Sequence, residues 1–101
     1  HLVTSEMVLA ELLNDFSARD PELRRSAAQL ALRLREMPDV TVFPQTTEGF
    51  QEALSLYLER YDKSWSLTDC ASFRVMREQG LEEALTYDKH FDQAGFKALL
   101  R

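Results

Sequence analysis

Three carboxylates in this chain have the type and placement to do chemistry together: Glu11, Asp69 and Asp88. Glu11 lies within Val8-Leu9-Ala10-Glu11-Leu12, about one and a half helical turns past the β-prone run Leu2-Val3-Thr4. Asp69 is the third residue of a helix that Ser66 can cap, and Asp88 directly follows the apolar run Ala84-Leu85-Thr86-Tyr87. Two carboxylates about 4 Å apart repel by about 4 kcal/mol at an effective dielectric of about 20. A protein that groups three without a lysine or arginine between them neutralises them with a hard cation. All-oxygen donors select Mg²⁺ or Mn²⁺ over zinc, and no CxxC, HExxH or His-rich spacing competes. Each acid also has an ordinary structural explanation. Glu11 can lie on a solvated helix face or point into a pocket. Asp69 closes a Ser-x-x-Asp capping box and meets the helix dipole, worth about 0.3–1 kcal/mol. Asp88 can be a plain strand-to-loop aspartate.

The elements that must position these acids follow from periodicity. After the first strand, Ser5 caps a helix whose apolar residues are Val8, Leu9, Leu12, Leu13 and Phe16. Asp20-Pro21 opens a second helix with the stripe Leu23, Ala27, Leu30, Ala31 and Leu34, ended by Met37-Pro38-Asp39. Val40-Thr41-Val42-Phe43 reads as a strand closed by Pro44. Thr46 or Thr47 then caps a third helix with the apolar face Phe50, Ala53, Leu54, Tyr57, Leu58 and Tyr61. Ser66 caps a fourth, carrying Leu67, Cys70, Ala71 and Phe73 and stopped at Gly80. Ala84–Tyr87 is a third strand, and residues 96–100 hold a small terminal element. The order β-α-α-β-α-α-β argues for an α/β fold of three layers, α/β/α, with a small parallel sheet. In that architecture ligands bind beyond the carboxyl ends of the strands, where the three acids fall.

Size and charge bound the function. The 101 residues fit one domain, 45% hydrophobic and 29% charged, with three glycines and three prolines, which excludes a disordered or low-complexity chain. A formal charge of −5 is the wrong sign for a broad nucleic-acid footprint, so an enzyme acting on RNA here must hold phosphate locally, through metal or a small arginine patch. Cys70 is the one cysteine, so no disulfide framework exists and a reducing, cytoplasmic compartment is the simpler expectation. No apolar run reaches the roughly 20 residues of a membrane span.

Tyr61-Asp62-Lys63-Ser64-Trp65-Ser66-Leu67-Thr68-Asp69-Cys70-Ala71-Ser72-Phe73, then Ala84-Leu85-Thr86-Tyr87-Asp88-Lys89-His90-Phe91 and Ala94-Gly95-Phe96, resembles the C-terminal half of a PIN domain of the VapC toxin type. Val8–Leu12 after Thr4-Ser5 is similar to that family's first internal acidic motif. The resemblance implies a Mg²⁺- or Mn²⁺-dependent endoribonuclease, a toxin of a toxin–antitoxin pair, leaving 5′-phosphate and 3′-hydroxyl ends. It implies Asp69 as a direct metal ligand, Glu11 and Asp88 as ligands directly or through water, and Thr86 and Ser66 as polar groups that orient them. Its implied partners are an RNA substrate and a cognate antitoxin that inserts a peptide into the active-site groove.

The chain also departs from the pattern. The resemblance implies a preceding apolar strand that ends in an aspartate, and no residue here supplies it. Opening at His1, the chain is expected to be a single but incomplete PIN-like domain over residues 1–101, short of about 30–40 residues. The expected consequences are weak or absent cleavage, and two half-sheets whose open edges drive dimerisation or higher self-association. The arginines at 24, 25, 33, 35, 74 and 77 could meet phosphates but read first as solvated helix faces. Trp65 reads as packing ahead of base stacking, and His90 as a neighbour that could tune the site. The rival expectation is a non-catalytic PIN-like binding or interaction module, whose acids serve capping and solubility alone.

Overall fold

A computed structural model of the chain describes residues 1–84 and 89–98. Its contacts group into two compact units, His1–Gln45 and Thr46–Arg101.

The first unit is a β-α-α-β sequence: β1 (Leu2–Ser5), α1 (Glu6–Phe16), α2 (Pro21–Glu36) and β2 (Val40–Phe43). β1 and β2 pair in parallel, with Leu2 opposite Val40 and Ser5 opposite Phe43. The caps are those expected. The Ser5 hydroxyl accepts from the Val8 N–H at 3.3 Å, and the Asp20 carboxylate accepts from the Glu22 N–H at 2.9 Å, with Pro21 at the start of α2. Leu9, Ala27 and Ala31 are buried. The larger members of the α2 stripe are not: Leu23 and Leu30 remain 47% and 46% exposed. Two helices on a two-stranded sheet have too little apolar surface to cover a whole helix face, so close packing falls to the small alanines.

The second unit holds α3 (Thr47–Glu59), α4 (Leu67–Glu78), β3 (Glu83–Ala84), α5 (Lys89–Gln93) and β4 (Lys97–Ala98). β3 and β4 pair in parallel, Glu83 opposite Lys97. The expected third strand continues into residues 85–87, and the terminal element into 99 and 100; both continuations lie outside the described residues. The core is aromatic. Phe73, fully buried, meets Trp65 edge-on at 4.9 Å between ring centroids, Phe91 edge-on at 4.9 Å and Phe96 at 5.7 Å. Ala53, Cys70, Ala71 and Met76 complete it. α4 ends where Gly80 takes φ +67°, which lets the Leu81 N–H reach back to the Met76 carbonyl at 2.8 Å. Of the expected α3 face, Ala53 alone is fully buried. Phe50, Leu54, Tyr57, Leu58 and Tyr61 are exposed, because α3 packs on α4 through its small residues. At Gly49 an added Cβ would stand 3.1 Å from the Thr46 hydroxyl and 3.2 Å from the Arg74 guanidinium.

The described strands form two two-stranded parallel sheets. Among the described residues, no helix is long and apolar enough to cross a membrane.

Candidate active site

The start of α4 is built by a reciprocal cap. The Ser66 hydroxyl accepts from the Asp69 N–H at 3.0 Å, and the Ser66 N–H donates to Asp69 Oδ2 at 3.0 Å. The structural explanation for Asp69 is thus realised. It does not use up the carboxylate, because Oδ2 alone is engaged: Oδ1 accepts no hydrogen bond among the described residues.

A second group converges on the same oxygen. His90 Nδ1 lies 3.1 Å from Asp69 Oδ2, and His90 Nε2 lies 3.2 Å from the Ser64 hydroxyl. The Asp69 and His90 side chains are only 15% and 19% exposed, so the contact is largely shielded from water. Ser64 precedes α4 and is exposed. His90 comes from α5, which aromatic packing fixes. Phe91 lies against Phe73, and the Trp65 indole N–H donates to the Gln93 amide oxygen at 3.0 Å. Trp65 is itself buried under the Arg60 guanidinium, 5.0 Å from its ring, in keeping with its expected packing role.

Cys70, the next residue of α4, is fully buried. Burial first, and the neighbouring negative charge of Asp69 second, push its thiol above its usual pKa. That environment suppresses the thiolate and fits a packing residue rather than a nucleophile.

In the first unit, Glu11 lies exposed on α1 with no hydrogen bond or ion pair among the described residues, so its place is the solvent face of the helix. An open apolar groove between α1 and α2 is lined instead by Leu9, Leu13, Ala31 and the Glu6–Arg35 pair. Sequence reasoning passed over Glu6. It accepts from the Gln45 N–H at 2.6 Å and from Arg35 at 3.1 Å, and these two donors, in that order, hold its carboxyl below the ordinary value of 4.5. Asp88 and Thr86 lie outside the described residues.

Among the described residues no three metal-ligating side chains stand together. The Asp69 oxygen that accepts no hydrogen bond among the described residues is by itself a hard donor of the kind that suits Mg²⁺ or Mn²⁺.

The PIN-domain family model matches residues 1–97, across both units. This chain belongs to the PIN-domain family. Its curated relatives include the 23S rRNA-specific endonuclease VapC20 from two strains of Mycobacterium tuberculosis, each 32% identical over 96 residues, covering 94% of this chain and 70% of the relative. The crystal structure of Mycobacterium tuberculosis VapC20, described as a sarcin-ricin loop cleaving toxin, superimposes with a TM-score of 0.79 at 30% identity. That match covers 93% of this chain and 70% of the other. The fold is accordingly the PIN α/β fold, mostly helical with a small parallel sheet, and the resemblance to the VapC type is confirmed.

Proposed function

We propose that this PIN domain is an endoribonuclease that hydrolyses RNA with Mg²⁺ or Mn²⁺ and serves as the toxin of a toxin–antitoxin pair in the cytoplasm. The observation that carries the reading is the likeness to VapC20 in sequence and fold over more than nine-tenths of the chain, with Asp69 held at the start of α4 and one carboxylate oxygen open. Asp69 is the direct metal ligand; Asp88 and Glu11 bind directly or through water; Ser66 and Thr86 orient them. For Ser66, the geometry supporting that role is its N–H on Asp69 Oδ2. When bound, the cation supplies an acidified water and offsets charge on the phosphate. The protein's own part is to aim the carboxylates. Ser66 does this for Asp69 by donating its N–H to Oδ2 in the cap of α4. RNA is the substrate by likeness to the rRNA endonucleases, and a cognate antitoxin is the expected partner protein.

The test is cleavage of a structured rRNA fragment by purified protein with Mn²⁺, with and without a chelator. Cleavage is expected to stop with the chelator and to fall at least about 100-fold in Asp69→Asn, which keeps the cap but loses the charge. Neither β1 nor β2 ends in an aspartate, so slow turnover is expected of these 101 residues, and the ratio between variants is the deciding quantity. Equal cleavage by Asp69→Asn would sink the assignment of Asp69.

One observation favours a second reading, a non-catalytic binding module: Asp69 already has a complete structural job in its capping box. That reading expects no Mn²⁺ binding and no effect of Asp69→Asn beyond stability.

A further inference from the structure

We infer that His90 is a positioning residue for Asp69, clamping Oδ2 so that Oδ1 is the oxygen left open to a hard cation. The inference rests on the metal-dependent nuclease reading above and adds a residue to it.

The proton assignment follows from the partners. An ionised carboxylate can only accept, so in the 3.1 Å contact the proton sits on His90 Nδ1 and points at Asp69 Oδ2. His90 Nε2 lies 3.2 Å from the Ser64 hydroxyl, a second polar contact on the far side of the ring. Ser64, His90 and Asp69 thus form a chain of contacts that fixes the plane of the imidazole. The Ser66 N–H arrives at the same Oδ2 at 3.0 Å. Two donors from different elements, one from the cap of α4 and one from α5, pin one oxygen of the carboxylate, while the other accepts no hydrogen bond among the described residues. A side-chain carboxylate held by a single donor can rotate and exchange its oxygens. Held by two, it presents the same oxygen each time, which is how an outer partner raises the affinity of a metal ligand. The clamp is held in place because α5 is anchored at two points just after His90, by Phe91 on Phe73 and by Gln93 on Trp65.

The experiment measures Mn²⁺ binding directly, by the loss of the free-ion electron paramagnetic resonance signal, with circular dichroism melting as the check on folding. Asp69→Asn is expected to abolish the site. His90→Leu is expected to weaken Mn²⁺ binding by about 10–100-fold. His90→Asn, whose amide nitrogen can replace the Nδ1–H donor, is expected to recover affinity to within about threefold of the parent. A folded His90→Leu that binds Mn²⁺ within about twofold of the parent overturns the inference while leaving the nuclease reading intact. Equal losses in folded His90→Leu and His90→Asn overturn it too, since they would mark a packing role. Should both His90 variants unfold, Ser64→Ala on the exposed segment decides: a weakening of about threefold supports the clamp and unchanged affinity overturns it. If Asp69→Asn binds Mn²⁺ as the parent does, the metal role of Asp69 falls and the clamp falls with it, a result distinct from the first two.

Discussion

Asp69 shows how one side chain can serve two physical demands at once. Its Oδ2 closes the α4 cap and receives His90, and its Oδ1 stays open. Ser-x-x-Asp ahead of an apolar run made the cap legible in the sequence, because that signal spans four consecutive residues. The His90 contact was not legible as a pairing. It joins residues 21 apart in the chain, through a five-residue helix placed by aromatic packing, and local spacing carries no trace of that. His90 was read beside Asp88 on proximity in sequence alone. Glu11 shows the reverse limit. Helical periodicity left it between a solvent face and a pocket, and the fold puts it on the solvent face. Cys70 gives a prediction at this scale. Its buried, raised-pKa thiol should react with a disulfide reagent at least about tenfold more slowly in the folded protein than in denaturant. Equal rates, measured by thiol release at neutral pH, would show that the core around Phe73 opens readily.

At the scale of elements, the helices with strong start signals fell where expected: Ser5, Asp20-Pro21, Thr46 and Ser66 cap α1 to α4. α5 was missed because five residues are too few for an apolar period to declare itself. The stripes of α2 and α3 were legible, but their burial was not, since hydrophobic spacing names a face without saying how much surface exists to cover it. Glu6 ties three elements of the first unit together: it starts α1, pairs with Arg35 of α2 and accepts from Gln45 after β2. Its folded pKa lies below the ordinary 4.5, so the carboxylate contributes stability above that value and loses it as pH falls through the folded pKa. Glu6→Gln should therefore melt at a lower temperature than the parent at neutral pH, with the two curves converging below about pH 4. Calorimetry across that range checks it; a gap that widens in acid would assign the stabilisation elsewhere.

At the scale of the whole molecule, the PIN match spans both units, and each unit contributes one parallel pair of described strands. Leu58 of α3 and Tyr61 in the turn after it, 67% and 90% exposed, add apolar surface that a partner could cover. Self-association is the proposed outcome. Sedimentation velocity should show a species heavier than 11.7 kDa that grows with concentration, and Leu58→Lys with Tyr61→Lys should shift it toward monomer. A single monomeric boundary at every concentration would count against it. The net charge of −5 does not oppose an RNA substrate, because the acids proposed to hold cations are part of that count.

Trp65 gives this chain a built-in optical probe. It is the only tryptophan, it lies directly before the Ser66 cap, and its indole N–H is tied to Gln93 of α5. Its emission therefore reports whether α5 is seated, and so whether His90 is in reach of Asp69, without any label. Red-shifted emission at a temperature where helix content is still intact would reveal a molecule that keeps its fold while its site has come apart.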